Sequence, residues 1–600
     1  MSALVLQKLL PRWPALGQYA ASPPAWALLA TVLLMAAILN GSGPTLAEWL
    51  GDTDDAVRLV SVRELLAGAP WFDTTLPRIG APEPLVSHWS RLIDAPLAAL
   101  IGALTPLLGA ESAELATRVI WPGVLLFALL LIVAREAERL AGPGVGAWAA
   151  AFAIVLAVTS VMAFVQFRPG RVDHHNAQIL CAVAGLLLLV RSWEEPRAGW
   201  MAGAQLGLGL AIGYEAIALV AAALGLAAAA ALLWPRHGSG IANAAAAATA
   251  ALLAALVLTV PPTRWLAIHC DALSLNLPVL AAGCTAGLWA ALRFGRSVPA
   301  RFAIAGLGAA AGALAYAALE PACLAGPFGQ VSPAVKATWL VTVSESKSIF
   351  WLASLHPAPA LGAMAFMLAG AAAQLALWHE RRDAGTGLAA VVVVLAAVLG
   401  CWQLKLLPYA CWLAVPPIAV LAAGLAGTVS ISAPLLRIAA VVLMSQATFD
   451  AAFGVLLSPF RSVSATAGSV EATDLRQPCY RSANVRRLAA LPPGLVAGEI
   501  NLGPYVVALT PHRVVAAPYH RLQTSIPAIY AILGGAPADA LPRLRALGVD
   551  YVALCAEPAA AGAAAPQSLR ARLLDGQRVD GLEELALGGS AAIRVWKVAR

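Results

Sequence analysis

Long apolar runs, separated by short charged or Pro/Gly-rich punctuation, dominate this chain. A helix needs about 20 apolar residues to cross a bilayer. Runs approaching or reaching that length lie at 25–40, 113–134, 145–165, 176–191, 199–214, 216–234, 241–260, 278–292, 302–318, 357–378, 387–404, 411–427 and 433–450. They predict about thirteen transmembrane helices. A further stretch, 95–109, is apolar but short and ends at Gly109, so it reads as a re-entrant or interfacial helix. The pattern changes near 457. Tyr505–Leu509, Val514–Ala517, Tyr551–Leu554 and Ala592–Val598 read as strands, and 537–547 and 567–574 as helices. The expected architecture is a polytopic α-helical membrane domain, 1–456, followed by an α/β domain, 457–600.

Arginine placement orients this array. With the N-terminus inside, the short inner loops hold Arg135 and Arg139, Arg191 and Arg197, Arg236, Arg293, Arg296 and Arg301, then Arg381 and Arg382. That asymmetry is the positive-inside signature. Lys8 and Arg12 precede the first run, which lacks a convincing cleavage site and reads as a retained span. The segments 41–112 and 319–356 and the α/β domain then lie outside, which places that domain in the periplasm of a bacterial inner membrane. Composition agrees. The 600 residues are 60% hydrophobic and only 12% charged, against about 25% charged in soluble proteins. Mean hydropathy is +0.78. The net charge of +7 is thinly spread, which excludes a nucleic-acid partner and fits contact with membrane lipids. Of the eight cysteines, Cys479 and Cys555 fall in the external domain and are expected to pair, while Cys270 and Cys323 are external but nearer the membrane. No CxxC occurs, which argues against a zinc site.

In so apolar a chain, acids clustered beside spans carry the chemical signal. The first cluster is Gly-Asp-Thr-Asp-Asp, with Asp52, Asp54 and Asp55; an Asp there also suits a helix N-cap. A second is Arg-Pro-Gly-Arg-Val-Asp-His-His-Asn at 168–176, with Arg171, Asp173, His174 and His175. A third is Thr342-Val343-Ser344-Glu345. Span parity puts all three on the outer face. Carboxylates with one imidazole suit a hard divalent cation, Mg²⁺ or Mn²⁺. Such an ion, with a nearby cation, would neutralise a departing phosphate.

The ordered set resembles the C-type glycosyltransferase superfamily (GT-C), and within it the single-subunit oligosaccharyltransferases of archaea and bacteria. The resemblance covers most of the chain by order of motifs and spans. It implies an Asp in the first external loop that binds metal and meets the acceptor, a place held by Asp54 ahead of Arg58 and Arg63. Asp173-His174-His175 is similar to the archaeal second motif, and Thr342–Glu345 to the family's SVSE/TIxE motif. Lys405, near the outer end of the eleventh span, stands where a phosphate-binding Arg is usual. The implied catalytic acids are Asp54, Asp55, Asp173 and Glu345, and the implied ligands Asp54, Asp173, His175 and Glu345. Lys405 and Arg171 would hold donor phosphate. Arg58, His174, His88, Trp89, Tyr519, His520 and Arg521 are candidate substrate contacts. The implied reaction is metal-dependent and inverting. It moves a sugar or oligosaccharide from a polyprenyl-(pyro)phosphate donor to an acceptor glycan, lipid or protein. One motif departs: no WWDYG string exists, and Asn501-Leu502-Gly503 stands where Asp-Tyr-Gly would, so the expected sequon reader is gone. A transporter of lipid-linked saccharides is the alternative, but it would want ionisable groups along a midplane path rather than at span ends.

Overall fold

The structure is a computed structural model that describes residues 22–41, 45–428, 434–460, 478–556, 566–588 and 592–599. Lys8 and Arg12 lie outside the described residues. Each predicted span falls on helix, from Pro23–Leu39 to Gln446–Leu457. Among the described residues, eight helices are long and apolar enough to cross a membrane, or ten if each of two bent pairs is one span. His175–Arg191 and Ile217–Leu233 have 17 residues and Ala198–Ile212 has 15, so at 1.5 Å per residue they fall short of the roughly 30 Å hydrocarbon core. The stretch expected to be re-entrant or interfacial is a continuous helix, Arg91–Leu108, that meets the same length and hydropathy criteria. Its first turn buries Arg91 and Asp94.

Two helix breaks shape the membrane domain. Gly146–Val158 and Val161–Phe167 meet at 78°, and Leu435–Val442 and Gln446–Leu457 at 56°. The breaks satisfy each other. Gln446 Oε1 accepts from Ser160 Oγ at 2.6 Å and from the Met162 amide at 3.2 Å. A backbone donor freed by the bend thus finds a partner where water is absent. The chain leaves the first bent pair directly into the 168–176 loop, which carries Asp173 and both histidines.

The C-terminal domain is built on a five-stranded sheet. In spatial order the strands are Arg513–Val514, Leu495–Gly498, Tyr551–Cys555, Ile593–Val598 and Leu582–Leu585. The first three run parallel, with Val496 opposite both Val514 and Tyr551. The last two are antiparallel to their neighbours. Sequence reasoning found the strands at 551 and 593 and both helices, now Pro537–Ala546 and Leu569–Leu574. It missed the short strands at 495 and 582 and misread Tyr505–Leu509, which belongs to the helix Gly503–Leu509. Pro504 starts that helix, and Tyr505, Val506 and Val507 are all buried. A helix buried all round has the same apolar, β-branched signature as a central strand.

Two disulfides join segments distant in sequence. Cys479 and Cys555 are bridged as expected, with Cα atoms 5.5 Å apart. Cys270 pairs with Cys323, a bond the sequence reading did not assign. Cys181, Cys284, Cys401 and Cys411 are free thiols. Denatured, unreduced protein should therefore react with maleimide at four cysteines, and reduced protein at eight. Eight reactive thiols before reduction would place both pairs in a reducing compartment and contradict the assigned orientation.

Candidate active site

The acid clusters converge because buried arginines and backbone amides tie their loops together. Arg118, inside Ala110–Ala141, donates to the Leu46 carbonyl at 2.7 Å and the Trp49 carbonyl at 2.5 Å, while its own carbonyl accepts from the Gly170 amide at 2.7 Å. The segment before Asp52 and the 168–176 loop are thus held by one side chain and its own backbone. Asp52 caps the helix Thr53–Leu66, accepting from the Asp54 and Asp55 amides at 3.0 Å. Asp55 returns the bond, accepting from the Asp52 amide at 3.1 Å. Gly51, at φ 95°, makes this possible, since any side chain there would collide with Asp55.

Three of the expected site residues are held by partners within the protein. Asp55, expected among the catalytic acids, does not line the cavity. It accepts from Arg171 Nη1 at 2.8 Å and from the Val172 and Asp173 amides at 2.8 and 3.0 Å, so it fastens the two loops. Arg171, expected on donor phosphate, is engaged by Asp52, Asp55 and Gln166. Arg58, expected to touch substrate, is fully buried, 2.7 Å from Asp94 Oδ1 and stacked over Trp89 at 4.3 Å. Each charge already has a partner inside the protein.

Asp54 remains, turned into a cavity of about 920 Å³ between the membrane domain and the C-terminal domain. His174, His175, Glu215, Glu345 and Lys405 line the same space, as do His88, Trp89, Tyr519, His520 and Arg521. Asp173 is buried behind the two histidines. Its Oδ1 lies 2.6 Å from His174 Nδ1, and its Oδ2 lies 3.4 Å from His175 Nε2. His175 Nε2 is 4.0 Å from Glu345 Oε1, and Lys405 Nζ is 3.3 Å from Glu345 Oε2. The loop carrying Glu345 is fixed beside Lys405, because the Leu404 amide donates to the Lys347 carbonyl at 2.8 Å.

Electrostatics separate the two histidines. His174 has carboxylates on both ring nitrogens, Asp173 on Nδ1 and Glu215 Oε1 at 3.1 Å from Nε2. Burial opposes a charge there, but Asp173 and then Glu215 outweigh it and hold the imidazolium up to about 10. Both of its ring nitrogens are held, so His174 would have to give up a carboxylate partner to ligate an ion. His175 keeps its ring among Asp173 and Glu345 and is the imidazole free to do so. Asp54 is the opposite case. Burial first, then the charges of Asp173, Asp52 and Glu345, push its carboxyl well above the usual carboxylate range. A pocket that crowds carboxylates in this way favours a cation.

Sequence reasoning missed Glu215, set aside as a loop residue, although by span parity it shares a face with Asp173. Asp271 was also missed; it accepts from Arg521 Nε at 2.7 Å and lies 2.6 Å from His520 Nε2. Asn501 and Glu499, where the family's sequon motif would lie, also line the cavity. The C-terminal domain is seated directly on the acid cluster. Tyr505 donates to the Gly51 carbonyl at 2.9 Å and Tyr519 to the Thr53 carbonyl at 3.1 Å.

No protein-family model matches the sequence, and no curated relative matches it. Solved structures do share the fold. Oligosaccharyltransferase AglB from Archaeoglobus fulgidus, in complex with an inhibitory peptide and a dolichol-phosphate, matches with TM-score 0.65 and 13% identity, over 90% of this chain and 69% of that one. The same archaeon's enzyme tethered to an acceptor peptide containing the NVT sequon gives TM-score 0.62 and 14% identity, over 97% and 74%. Its complex with Zn and sulfate gives 0.55 and 14%, over 96% and 73%. This chain therefore shares the fold of these oligosaccharyltransferase structures.

Proposed function

We propose that this protein is a membrane glycosyltransferase that moves a sugar or oligosaccharide from a polyprenyl-(pyro)phosphate donor to an acceptor on the outer, periplasmic face. One observation carries the reading. Asp54, His175, Glu345 and Lys405 come from four distant segments and line one cavity, with Asp173 buried behind His175, in the fold of an enzyme solved with dolichol-phosphate. The topology of about thirteen spans with the C-terminal domain outside belongs to the same reading. Two disulfides in external segments support it.

The residues suit a divalent ion. Buried Asp173 Oδ2 accepts no hydrogen bond among the described residues and lies 3.4 Å from His175 Nε2. Asp54, Asp173 and Glu345 add oxygen ligands, a set that fits Mg²⁺ or Mn²⁺. An archaeal neighbour was solved with Zn and sulfate. When bound, the ion would supply charge neutralisation for the departing phosphate. The chain's own groups do the rest. Lys405 places an ammonium beside Glu345, where a lipid phosphate oxygen can take its place. Asp54 orients the acceptor or receives its proton from the face opposite the leaving group, which gives inversion. His174, charged between Asp173 and Glu215, fixes the Asp173 carboxylate.

The acceptor differs from an N-glycosylation sequon in this reading, because Glu499 and Asn501 occupy the wall where a Trp-rich motif would sit. Deleting the gene should cause polyprenyl-linked donor to accumulate and one glycolipid or glycoprotein to disappear. Unchanged donor and glycoconjugate profiles would overturn the proposal.

A further inference from the structure

A second cluster lies in the cavity, apart from the acid centre. His88 comes from the first external loop, Asp271 from the connection between Gly238–Thr259 and Asn276–Phe294, and His520 from the C-terminal domain. One ligand-capable atom of each lies within 4.8 Å of the others. In a tetrahedral site with bonds of about 2.0–2.1 Å, ligand atoms stand roughly 3.4 Å apart. His520 Nε2 and Asp271 Oδ2 already stand 2.6 Å apart, so an ion would enter by opening that hydrogen bond and drawing His88 in.

The surroundings are those of a prepared site. Arg521 grips both oxygens of Asp271, Nε at 2.7 Å and Nη2 at 2.8 Å, and so fixes the carboxylate. Outer partners of this kind orient metal-bound carboxylates. Cys270, bonded to Cys323, anchors the backbone next to Asp271. The His520 ring is held between Trp339, stacked at 6.1 Å, and Phe328, edge-on at 5.4 Å, and it meets the His88 ring at 4.8 Å. Two imidazoles and one carboxylate are a nitrogen-rich set. Zinc and the late divalent metals prefer it, whereas the oxygen-rich acid centre suits harder ions. Cysteine spacing is blind to such a site.

We propose that His88, Asp271 and His520 form a second metal site, for a zinc-type divalent ion, that ties the C-terminal domain to the external loops and leaves one coordination position facing the cavity. The proposal does not depend on the transferase reading, and its test needs no activity.

The test uses the full-length protein in detergent, with the acid centre disabled by Asp173→Asn and His175→Ala. After EDTA stripping, zinc is titrated against a chromophoric chelator. One zinc per chain is expected to bind, and adding His88→Ala and His520→Ala should weaken it by about 100-fold or more. Should the combined variant not elute as a folded monodisperse peak, His88→Ala alone is loaded with Co²⁺. Its visible absorption should fall relative to the same background with His88 intact. Zinc affinity, or the Co²⁺ spectrum, unchanged by these substitutions would overturn the assignment and leave the cluster a hydrogen-bonded latch.

Discussion

Asp54→Asn should lower turnover by about 10²–10³-fold or more, the scale on which charged groups aimed at reacting atoms act, while donor lipid still binds. The helix-capping work at this N-terminus belongs to Asp52 and Asp55, not Asp54. Burial, and then the charges of Asp173, Asp52 and Glu345, push the Asp54 carboxyl upward. An amide escapes that cost of ionising, so the melting temperature should hold or rise as activity is lost. A neighbouring substitution gives the contrast. Asp55→Asn weakens a carboxylate that gathers Arg171 and three backbone amides, so it should destabilise the fold. An Asp54→Asn protein within a few-fold of wild-type turnover would remove Asp54 from the chemistry.

The largest stability effect is expected at Asp94. Its Oδ1 accepts from Arg58 at 2.7 Å, and its Oδ2 from Ser61 at 2.8 Å and Arg91 at 2.9 Å. Asp94 is 1% exposed and Arg58 and Arg91 are 0% and 2% exposed. Asp94→Ala strands two buried guanidinium groups. Breaking a buried pair by removing one partner costs about 3–5 kcal/mol. Arg58 also stands 3.5 Å from Asp173 Oδ1, so once freed it should pull on that carboxylate and reduce activity in whatever protein remains folded. Thermal unfolding in detergent reads the first effect. A melting temperature within a degree or two of wild type would mean that the pair is not held as described.

Much of the site was legible because its signal is order along the chain. Asp54, Asp173–His175, Glu345 and Lys405 each lie near a span end, and arginine placement, with 95–109 read as re-entrant, is what puts those ends on one face. What the sequence could not show was which charges satisfy each other. Arg58 and Arg171 look like substrate-facing cations until Asp94, Asp52 and Asp55 are seen to hold them. Glu215 and Asp271 are single acids in connecting loops with no pattern of their own. They gain meaning only from His174 and from His520 with Arg521. Span number was limited by the same physics. Several helices near the site have 15 to 17 residues, too short for length to separate a crossing from a partial one. In the C-terminal domain, strands of two or four residues leave too little alternation to detect.

In the proposed reaction the acid cavity cleaves a sugar–phosphate bond of a lipid-linked donor. Purified protein in liposomes loaded with radiolabelled polyprenyl-(pyro)phosphate sugar and membrane-extracted acceptor tests it most directly. Label should leave the lipid for the acceptor, stop with EDTA, resume with Mg²⁺ or Mn²⁺, and fail in Asp173→Asn. Donor that crosses the bilayer with its sugar intact, or cleavage that survives Asp173→Asn, would contradict the account.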